Sequence, residues 1–365
     1  MSCRPTTEAM IQHMNARPMM PQHHPFVKTI AQALRHRCGV TTGEHLLVAV
    51  SGGADSIALL RAMAVLAPRR HWELTLAVAH VQHHLRDEAG DAEADARFTQ
   101  ELTRTLGLPF LRADLDAAEL LRRGNMEANA RRARYAALVR MARDHGCTGI
   151  VTAHHGDDQL ETLLMRLMRG SAVRGLSGMA WRRAIRVAGH DQPIHLLRPM
   201  LHHSRADVVR FLRDLNQDWR EDHTNLDVTR RRARLRRDVL PVLHELCPHV
   251  ARRATQTADH LREVVTLLDT LADQHSRELV ERHEGIWRIN RPAARKLPTI
   301  ALIELLRRLA LEAGARADHL GASVFRPIVD AIADTQGGTR RFTLSGGVEV
   351  TLTRAEVTIT KRAEC

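Results

Sequence analysis

The chain has few of the features that define secreted or membrane-spanning proteins. Only 5 of its 365 residues are cysteine, and no two stand at a spacing that would indicate a disulfide framework or a zinc site. No uninterrupted apolar run approaches the roughly 20 residues needed to span a bilayer. Residues 1–26 contain no apolar core of the kind that a secretory signal requires. We therefore expect a cytoplasmic protein with no membrane partner and a flexible extension over residues 1–27.

Aromatic residues and lysine are also scarce. Aromatic residues make up 3% of the chain, so few side chains are available to stack on RNA bases. The formal net charge is nevertheless +12 and comes almost entirely from arginine, because Lys28, Lys296 and Lys361 are the only lysines. Clustered cations gain affinity for polyanions by releasing counterions from phosphates. Composition therefore indicates a nucleic-acid partner, although a genome bias toward arginine would give the same counts.

Apolar runs alternate with helical patterns through the first half of the chain. We predict strands at residues 45–50, 74–81, near Phe110 and at 149–153, and helices over residues 26–38, 56–63, 91–106 and 126–145. Ser204 and Asp207 predict a capping box at the start of a later helix. The alternation indicates an α/β fold with a doubly wound parallel sheet. Because ligands of such sheets bind beyond the carboxyl ends of the strands, the segments after the first and the fourth strand should face one crevice.

The chain is long enough for more than one domain. We assign residues 28–219 to the α/β domain, residues 220–246 to a basic linker helix, and residues 247–365 to a smaller helical domain. This last domain is expected to be mostly helical as far as Thr335 and to end in a β-hairpin, because glycine pairs punctuate short apolar runs near its end.

A glycine-containing loop, Ser51-Gly52-Gly53-Ala54-Asp55-Ser56, follows the first predicted strand. A strand, a glycine pair and a helix place unpaired backbone N–H groups at a positively polarised helix start, which favours phosphate. Asp55 would repel a bare phosphate and is better explained as a carboxylate that meets a magnesium ion carried by ATP. The loop lacks the Gly-Lys-Ser/Thr end of a Walker A site, which disfavours γ-phosphoryl transfer. A tight glycine turn capped by serine is the alternative without a function.

A second acidic motif, HHGDDQLET over residues 154–162, follows the fourth predicted strand and opens a helix. Three- and four-residue spacings place Asp158 and Asp157 on the same helix face as Glu161. Acids beside a triphosphate site can hold a divalent metal or a substrate ammonium group, and spacing does not divide the three acids between these roles. One alternative is the favourable electrostatics of acids in a first helical turn. A zinc site is disfavoured, because adjacent histidines do not share a helix face.

These motifs resemble known families. Residues 48–56 resemble the signature of the PP-loop ATP pyrophosphatase superfamily, whose members typically attack the α-phosphate of ATP and release pyrophosphate. Residues 154–162 are similar to the HHxDDxxET motif of the tRNA(Ile)-lysidine synthases. Residues 80–86 resemble that family's HVNHxLR motif, with Gln82 in place of asparagine, and residues 125–135 resemble its NxEAxAR..RY block. The motifs also stand in the family's order.

The resemblance implies a PP-loop fold, of the adenine nucleotide α-hydrolase-like type, with ATP and Mg²⁺ as cofactors. It implies ATP binding by Ser51 to Ser56 and at His80, with Asp55 and Asp157 as magnesium ligands. It also implies recognition of free L-lysine by Asp158 and Glu161. Asp55, Asp158, Glu161 and Arg131 are the implied catalytic residues. Packing of His80 at a strand end and an exposed helix face for Arg131 are the alternatives.

Cations concentrate on a predicted helix at residues 229–241, which indicates RNA phosphate as a partner. The stretch that begins at Glu221 resembles the lysidine synthase linker pattern EDxSN…RNRIRxxLLP, with Thr224 where serine is common and Ala233 in place of asparagine. The resemblance implies contacts to tRNA by Arg169, Arg174, Arg232, Arg234 and Arg236. A solvated basic helix is the alternative.

The implied reaction joins free L-lysine to carbon 2 of the wobble cytidine in the CAU anticodon of tRNA(Ile). It proceeds through an adenylylated RNA and releases pyrophosphate and AMP; a homodimer is left open. A related tRNA thiolase is one alternative, but such enzymes generally use paired cysteines, and none are close in this sequence. A non-catalytic RNA- or nucleotide-binding protein is another, and the intact acids disfavour it.

Overall fold

The structure is a computed structural model that describes residues 20–82, 91–115, 126–186, 192–220, 231–336 and 338–361, with only the backbone described at 91, 92 and 126–128. Most of the predicted extension therefore lies outside the described residues. The same holds for motif residues 83–86, for Asn125 and for residues 221–230 of the predicted linker.

The chain divides into two compact units. The first comprises residues 1–162 and 179–255, and the second comprises residues 163–178 and 256–365. By this division, the described part of the predicted linker, residues 231–246, belongs to the first unit.

A six-stranded sheet forms the centre of the first unit. Its strands are β1 (His45–Ala49), β2 (Thr75–Gln82), β3 (Phe110–Asp114), β4 (Gly149–Val151), β5 (Arg182–Ile185) and β6 (Ile194–Leu197). The spatial order is β3-β2-β1-β4-β6-β5. All neighbours are parallel except β5, which pairs antiparallel with β6 at the edge.

Helices connect these strands and continue into the basic region. In chain order they are α1 (Pro25–His36), α2 (Ala54–Leu66), α3 (Asp91–Thr105), α4 (Met126–Asp144), α5 (Gly156–Leu167), α6 (Val173–Leu176), α7 (Arg205–Asp214), α8 (Arg231–Arg234), α9 (Leu240–Leu246) and α10 (Val250–Leu279). A π-helical turn, Leu235–Val239, joins α8 to α9. No helix in the described ranges has both the length and the apolar character that a membrane crossing requires.

Strand β1 shows why the sheet is covered on both faces. Leu46 and Val48 point into one apolar core with Ile57 of α2, whereas Leu47 points into a second core with Leu138 of α4. Successive side chains of a strand face opposite sides, so a continuous apolar run fits only a strand that is buried on both. The predicted doubly wound parallel sheet is confirmed. Strands β5 and β6 were not predicted, because each has only four residues and β5 is largely exposed.

The second unit packs helices against an antiparallel sheet. Its later elements are β7 (Val280–His283), β8 (Ile286–Asn290), α11 (Arg291–Ala294), α12 (Thr299–Glu312), α13 (Ala322–Ala333), β9 (Arg340–Thr343), β10 (Val348–Leu352) and β11 (Glu356–Lys361). The strand order is β7-β8-β11-β10-β9. Buried residues of α12 and α13, such as Leu305 and Phe325, share one core with Val350 and Ile359 of the sheet.

The predicted terminal hairpin is confirmed as β10 and β11, but it is part of a larger sheet. The expectation of mostly helical structure as far as Thr335 did not include residues 280–290, where β7 and β8 form a second hairpin. Its turn places Glu284 and Gly285 at φ of +48° and +74°. Such left-handed backbone ends a helix and suits a tight turn.

Candidate active site

The Ser51–Ser56 loop joins β1 to α2 at the carboxyl edge of the sheet. Gly52 has a φ of +92°, a backbone conformation that residues with a side chain rarely adopt. Gly53 is the N-cap of α2 and makes no side-chain capping bond, so the first amides of α2 have no side-chain acceptor. Ser56 is buried; its hydroxyl donates to the Gly53 carbonyl at 2.9 Å and accepts the Ser51 backbone N–H at 3.1 Å. Ser56 therefore holds the loop's shape, and the start of α2 keeps the arrangement of backbone amides that favours an anion.

Two residues outside the loop brace it. The backbone N–H of Arg220 donates to the Gly52 carbonyl at 3.0 Å, and Arg220 Nε donates to Asp95 at 2.8 Å. His80, predicted to bind cofactor, is buried, and its Nδ1 donates to the Val50 carbonyl at 3.0 Å. Burial lowers the pKa of His80 more than this hydrogen bond raises it, so the ring is neutral at pH 7. The structure thus places His80 behind the end of β1, where it supports the loop.

His155 lies among three carboxylates. Its Nε2 is 3.5 Å from Asp55 Oδ1 and 3.7 Å from Asp158 Oδ2, and its Nδ1 is 3.7 Å from Asp157 Oδ2. Burial would lower the pKa of His155, but the three carboxylates, Asp158 foremost, raise it to about 9. Burial alone would raise the pKa values of Asp55 and Asp158, yet neighbouring cations, His155 foremost, hold both below the usual range. The Ser51–Ser56 loop, called the phosphate loop below, and α5, called the acid helix below, therefore meet in one charged cluster.

Arg205 and His244 complete this cluster, and the sequence analysis identified neither. The Arg205 guanidinium pairs with Asp55, while its backbone N–H donates to Asp157 Oδ2 at 2.7 Å. His244 of α9 pairs with the other oxygen of Asp157. Arg205 is positioned because the predicted capping box of α7 is present: Ser204 and Asp207 exchange both of its hydrogen bonds. The sequence feature that could have pointed to Arg205 was a cation at the first position of a helix that begins next to the sheet edge.

Glu161 and Asp158, the predicted lysine ligands, are both bound by arginines of residues 231–246, the described part of the predicted basic linker. Arg236 donates to Glu161 at 2.6 Å and to Asp158 at 2.7 Å, and Arg232 donates to the other oxygen of Glu161. The Glu161 side chain is 1% exposed, which is exceptional for a carboxylate unless it is paired. The structure thus brings two predicted tRNA-binding arginines into contact with the predicted lysine site.

A second group of cations surrounds His154, the residue before this cluster. Arg131 lies over the Tyr135 ring at 5.1 Å and Arg134 at 5.9 Å, and Arg198 is buried after the end of β6. Burial lowers the pKa of His154 to about 3, helped by the three arginines and opposed by Asp158. The predicted catalytic residue Arg131 is itself exposed, so its guanidinium is accessible to a ligand.

The remaining predicted arginines have other surroundings. Within the second unit, Arg174 pairs with Asp269 at 2.7 Å and with Glu304 at 2.6 Å, and Arg169 is exposed. Arg234, in the first unit, is 70% exposed and lies 3.8 Å from Asp238. Neither Arg174 nor Arg234 contacts the acid helix through the bonds described.

The chain is similar to known proteins over most of its length. Residues 23–243 match the family model of the PP-loop domain. A tRNA(Ile)-lysidine synthase from Symbiobacterium thermophilum is 41% identical over 231 residues, which are 63% of this chain and 46% of that protein. Another from Chlorobaculum tepidum is 32% identical over 320 residues, which are 86% of this chain and 90% of that protein. The chain belongs to the tRNA(Ile)-lysidine synthase family of PP-loop proteins.

Members of this family differ in length. The chain spans about half of the first relatives, 46% of the Symbiobacterium protein and 53% of a tRNA(Ile)-lysidine synthase from Deinococcus deserti. Among solved structures, the U34-tRNA thiolase from Methanococcus maripaludis with its [4Fe-4S] cluster has a TM-score of 0.52 at 15% identity, covering 65% of this chain and 80% of that chain. That likeness shows the shared fold alone.

Asp55 and Asp157 could hold Mg²⁺ only if ATP supplies further ligands to the ion. In the described part of the chain, no group of three or more His, Cys, Asp or Glu side chains is arranged to hold a metal ion. Asp55 and Asp157 are instead linked through Arg205 and His155. Because Mg²⁺ usually takes one or two carboxylates and completes its shell with phosphate oxygens and water, this pair fits an ion that arrives with ATP.

Proposed function

We propose that this chain ligates free L-lysine to carbon 2 of the wobble cytidine in CAU-anticodon tRNA(Ile). The oxygen on that carbon attacks the α-phosphate of ATP and pyrophosphate leaves; the lysine amine then attacks carbon 2, and the oxygen leaves with AMP, all in the cytoplasm. The observation that carries the proposal is the contact of the phosphate loop with the acid helix through Asp55, His155 and Asp158. It puts an anion site and a cation site side by side, as a reaction between a nucleotide and an amine requires.

The anion half of the site favours the triphosphate and the charge that builds up on it. The open amides at the start of α2 would bind the phosphates, and Gly52 allows their close approach. Asp55 and Asp157 would hold Mg²⁺, which supplies positive charge to the phosphates. Arg131 and Arg134 would stabilise negative charge on the α-phosphate, because both add positive charge beside His154.

The cation half of the site favours an ammonium group. Asp158 and Glu161 are buried on one face of α5, and the pKa of Asp158 is lowered, so Asp158 is charged at pH 7. Buried carboxylates that are already ionised need a cationic partner, and the amine of free lysine can supply one. Transfer RNA would then approach over the half-exposed arginines of residues 231–246. Arg169 and Arg174 are proposed as further tRNA contacts.

Sulfur transfer is a weaker explanation. Cys38 and Cys147 are buried, and burial raises their pKa values to about 12 and about 11. A thiol must ionise to act as a nucleophile or as a cluster ligand. Neither of these two thiols is therefore suited to act as a nucleophile or cluster ligand near pH 7.

Incorporation of labelled lysine into a CAU-anticodon tRNA(Ile) transcript, with purified protein and ATP, tests the proposal. We expect Glu161→Gln to lose incorporation and to keep tRNA-dependent exchange of pyrophosphate with ATP, because only the amine site is changed. Asp55→Asn should lose both activities. Glu101→Gln, an exposed carboxylate on α3 that pairs only with Arg104 among the bonds described, is the matched control and should keep both.

Each half of the proposal can fail separately. A parent enzyme that incorporates no lysine while it catalyses the exchange would reject lysine as the substrate. Equal incorporation by Glu161→Gln and the parent would reject the assigned amine site. A transcript whose wobble cytidine is replaced by uridine should accept no lysine.

A further inference from the structure

Every carboxylate oxygen of the proposed lysine site already has a partner. The basic segment, defined here as residues 231–246, supplies Arg236 to both acids and Arg232 to Glu161. The remaining oxygen, Oδ2 of Asp158, accepts the backbone N–H of His155 at 3.0 Å. An ammonium group at these oxygens would lie beside two guanidinium cations that repel it, so lysine binds well there only if an arginine leaves.

We infer that Arg232 and Arg236 close the amine site and that RNA phosphates open it by drawing these arginines away. Lysine binding would then depend on prior or simultaneous binding of tRNA. The inference rests on the proposed function, since it takes lysine as the ligand of Asp158 and Glu161.

The two ends of these ion pairs differ in their access to solvent. The side chains of Glu161 and Asp158 are 1% and 12% exposed, whereas those of Arg232 and Arg236 are 39% and 45% exposed. RNA can reach only the arginine end. The planar guanidinium binds a phosphate with two parallel hydrogen bonds, so a phosphate competes well with a carboxylate for it.

Loss of the arginines would leave two negative charges behind. A buried carboxylate without a partner is strongly unfavourable, so the opened site gains a high demand for a cation. Free lysine supplies a compact ammonium with three donors. The same acids can thus serve the arginines before RNA arrives and the substrate afterwards.

The fold of the basic segment singles out these two arginines. Leu235 and Leu240 are buried and anchor the segment, with Arg232 and Arg236 directed to the acid helix. Arg237 lies on the same segment but pairs with Asp238 and is 55% exposed. Arg236 lies within the π-helical turn Leu235–Val239, which interrupts the regular hydrogen bonding of the helix. Such turns are frequent at functional sites.

Thermodynamic linkage relates the affinity for lysine to the fraction of molecules in which the two arginines have left the acids. If the open form is a small fraction of the molecules, the apparent Kd for lysine is the intrinsic Kd divided by that fraction. RNA that favours the open form must tighten lysine binding, and lysine must tighten RNA binding by the same factor.

Calorimetric titration of lysine into the full-length protein, without RNA or ATP, is the deciding measurement. The Arg232→Met and Arg236→Met double variant removes both charges and keeps the apolar stems. We expect it to bind lysine at least about tenfold more tightly than the parent, since a closed fraction of nine tenths gives that factor. Arg237→Met should match the parent. Norleucine, which lacks the amine of the side chain, should bind to none of the three.

Two further readouts separate the outcomes. A CAU anticodon stem-loop, again without ATP, should tighten lysine binding by the parent, and lysine should raise the Tm of the double variant more than that of the parent. Equal lysine affinity in the parent and the double variant would overturn the inference. If the parent nevertheless incorporates lysine into tRNA, the proposed function stands and only the closure is wrong.

A protein that neither binds lysine in any variant nor incorporates it into tRNA would overturn both proposals together. If the double variant does not fold, Arg236→Met alone gives the same comparison. It frees Oδ1 of Asp158 and one oxygen of Glu161 while Arg232 keeps the other oxygen of Glu161, so tighter lysine binding is again the expected result.

Discussion

We expect the stability of the first unit to fall as the pH rises above about 6.5, because of a single buried imidazole. His155 lies within 3.7 Å of carboxylate oxygens of Asp55, Asp157 and Asp158. One contact opposes its protonation: Nδ1 is 3.2 Å from the backbone nitrogen of Asp157, whose N–H favours a neutral ring. Burial opposes it too, but the three carboxylates outweigh both and raise the pKa to about 9.

The sign and size of the effect follow from this shift. An unfolded histidine has a pKa of about 6.5, so the folded state binds the proton more tightly. The stabilisation is complete below that pH and disappears as the pH rises through about 9. At about 1.36 kcal/mol for each pKa unit, the difference amounts to about 3 kcal/mol of the free energy of unfolding.

Urea unfolding at pH 6.5 and pH 9.5, followed by tryptophan fluorescence, measures this loss. Trp72, Trp181 and Trp219 lie in the first unit, and a Trp287→Phe background removes the tryptophan of the second unit, so the signal reports on the first unit. The parent should lose about 3 kcal/mol more than His155→Gln between the two pH values. His260→Gln, on an exposed face of α10, should behave as the parent does. The same pH dependence in the parent and in His155→Gln would refute the reasoning.

Three further substitutions test other parts of the structure. Gly52→Ala should destabilise the protein by about 1 to 2 kcal/mol and weaken ATP binding. Gly43, with a φ of +81° and open space around it, is the control: Gly43→Ala should destabilise the protein but leave ATP binding unchanged. Ser204→Ala should lower the free energy of unfolding by about 1 kcal/mol in urea, because the capping box of α7 is lost. Arg291→Met should cost the second unit about 3 kcal/mol or more in thermal unfolding, since Arg291 is buried and donates to four backbone carbonyls.

Sequence patterns predicted the strands that are buried on both faces. The apolar run at residues 45–50 corresponds to β1 within one residue, because each of its side chains must enter a core. Strand β5 gave no such signal: its arginines face solvent, and its place is set by backbone pairing to β6. The hairpin of β7 and β8 was missed for a different reason. Residues 280–290 follow a 30-residue helix, and the Glu284-Gly285 turn is a short interruption in a long helical pattern.

Motif spacing predicted which acids lie together but not what neutralises them. Asp55 and Asp158 are brought together because both follow parallel strands that end at one edge of the sheet. Their partners come from remote elements, such as Arg236, which stands 75 residues after Glu161. An ion pair between distant segments depends on three-dimensional placement, and one sequence does not contain that information as a pattern. The charge of the basic segment was visible, whereas its contact with the acid helix was not.

The scarcity of lysine has a chemical consequence at this site. The side-chain cations described beside Asp55, Asp158 and Glu161 are arginine and histidine, although the proposed substrate is an amine. In the proposed reaction, a lysine at position 232 or 236 would bring a primary amine to Asp158 and Glu161, beside the adenylylated wobble cytidine. Arginine carries the same charge but stays protonated far above pH 7, so it has no free nitrogen lone pair with which to attack. Arginine can therefore occupy the proposed amine site without competing in the proposed reaction, which is the property that a reversible closure of that site requires.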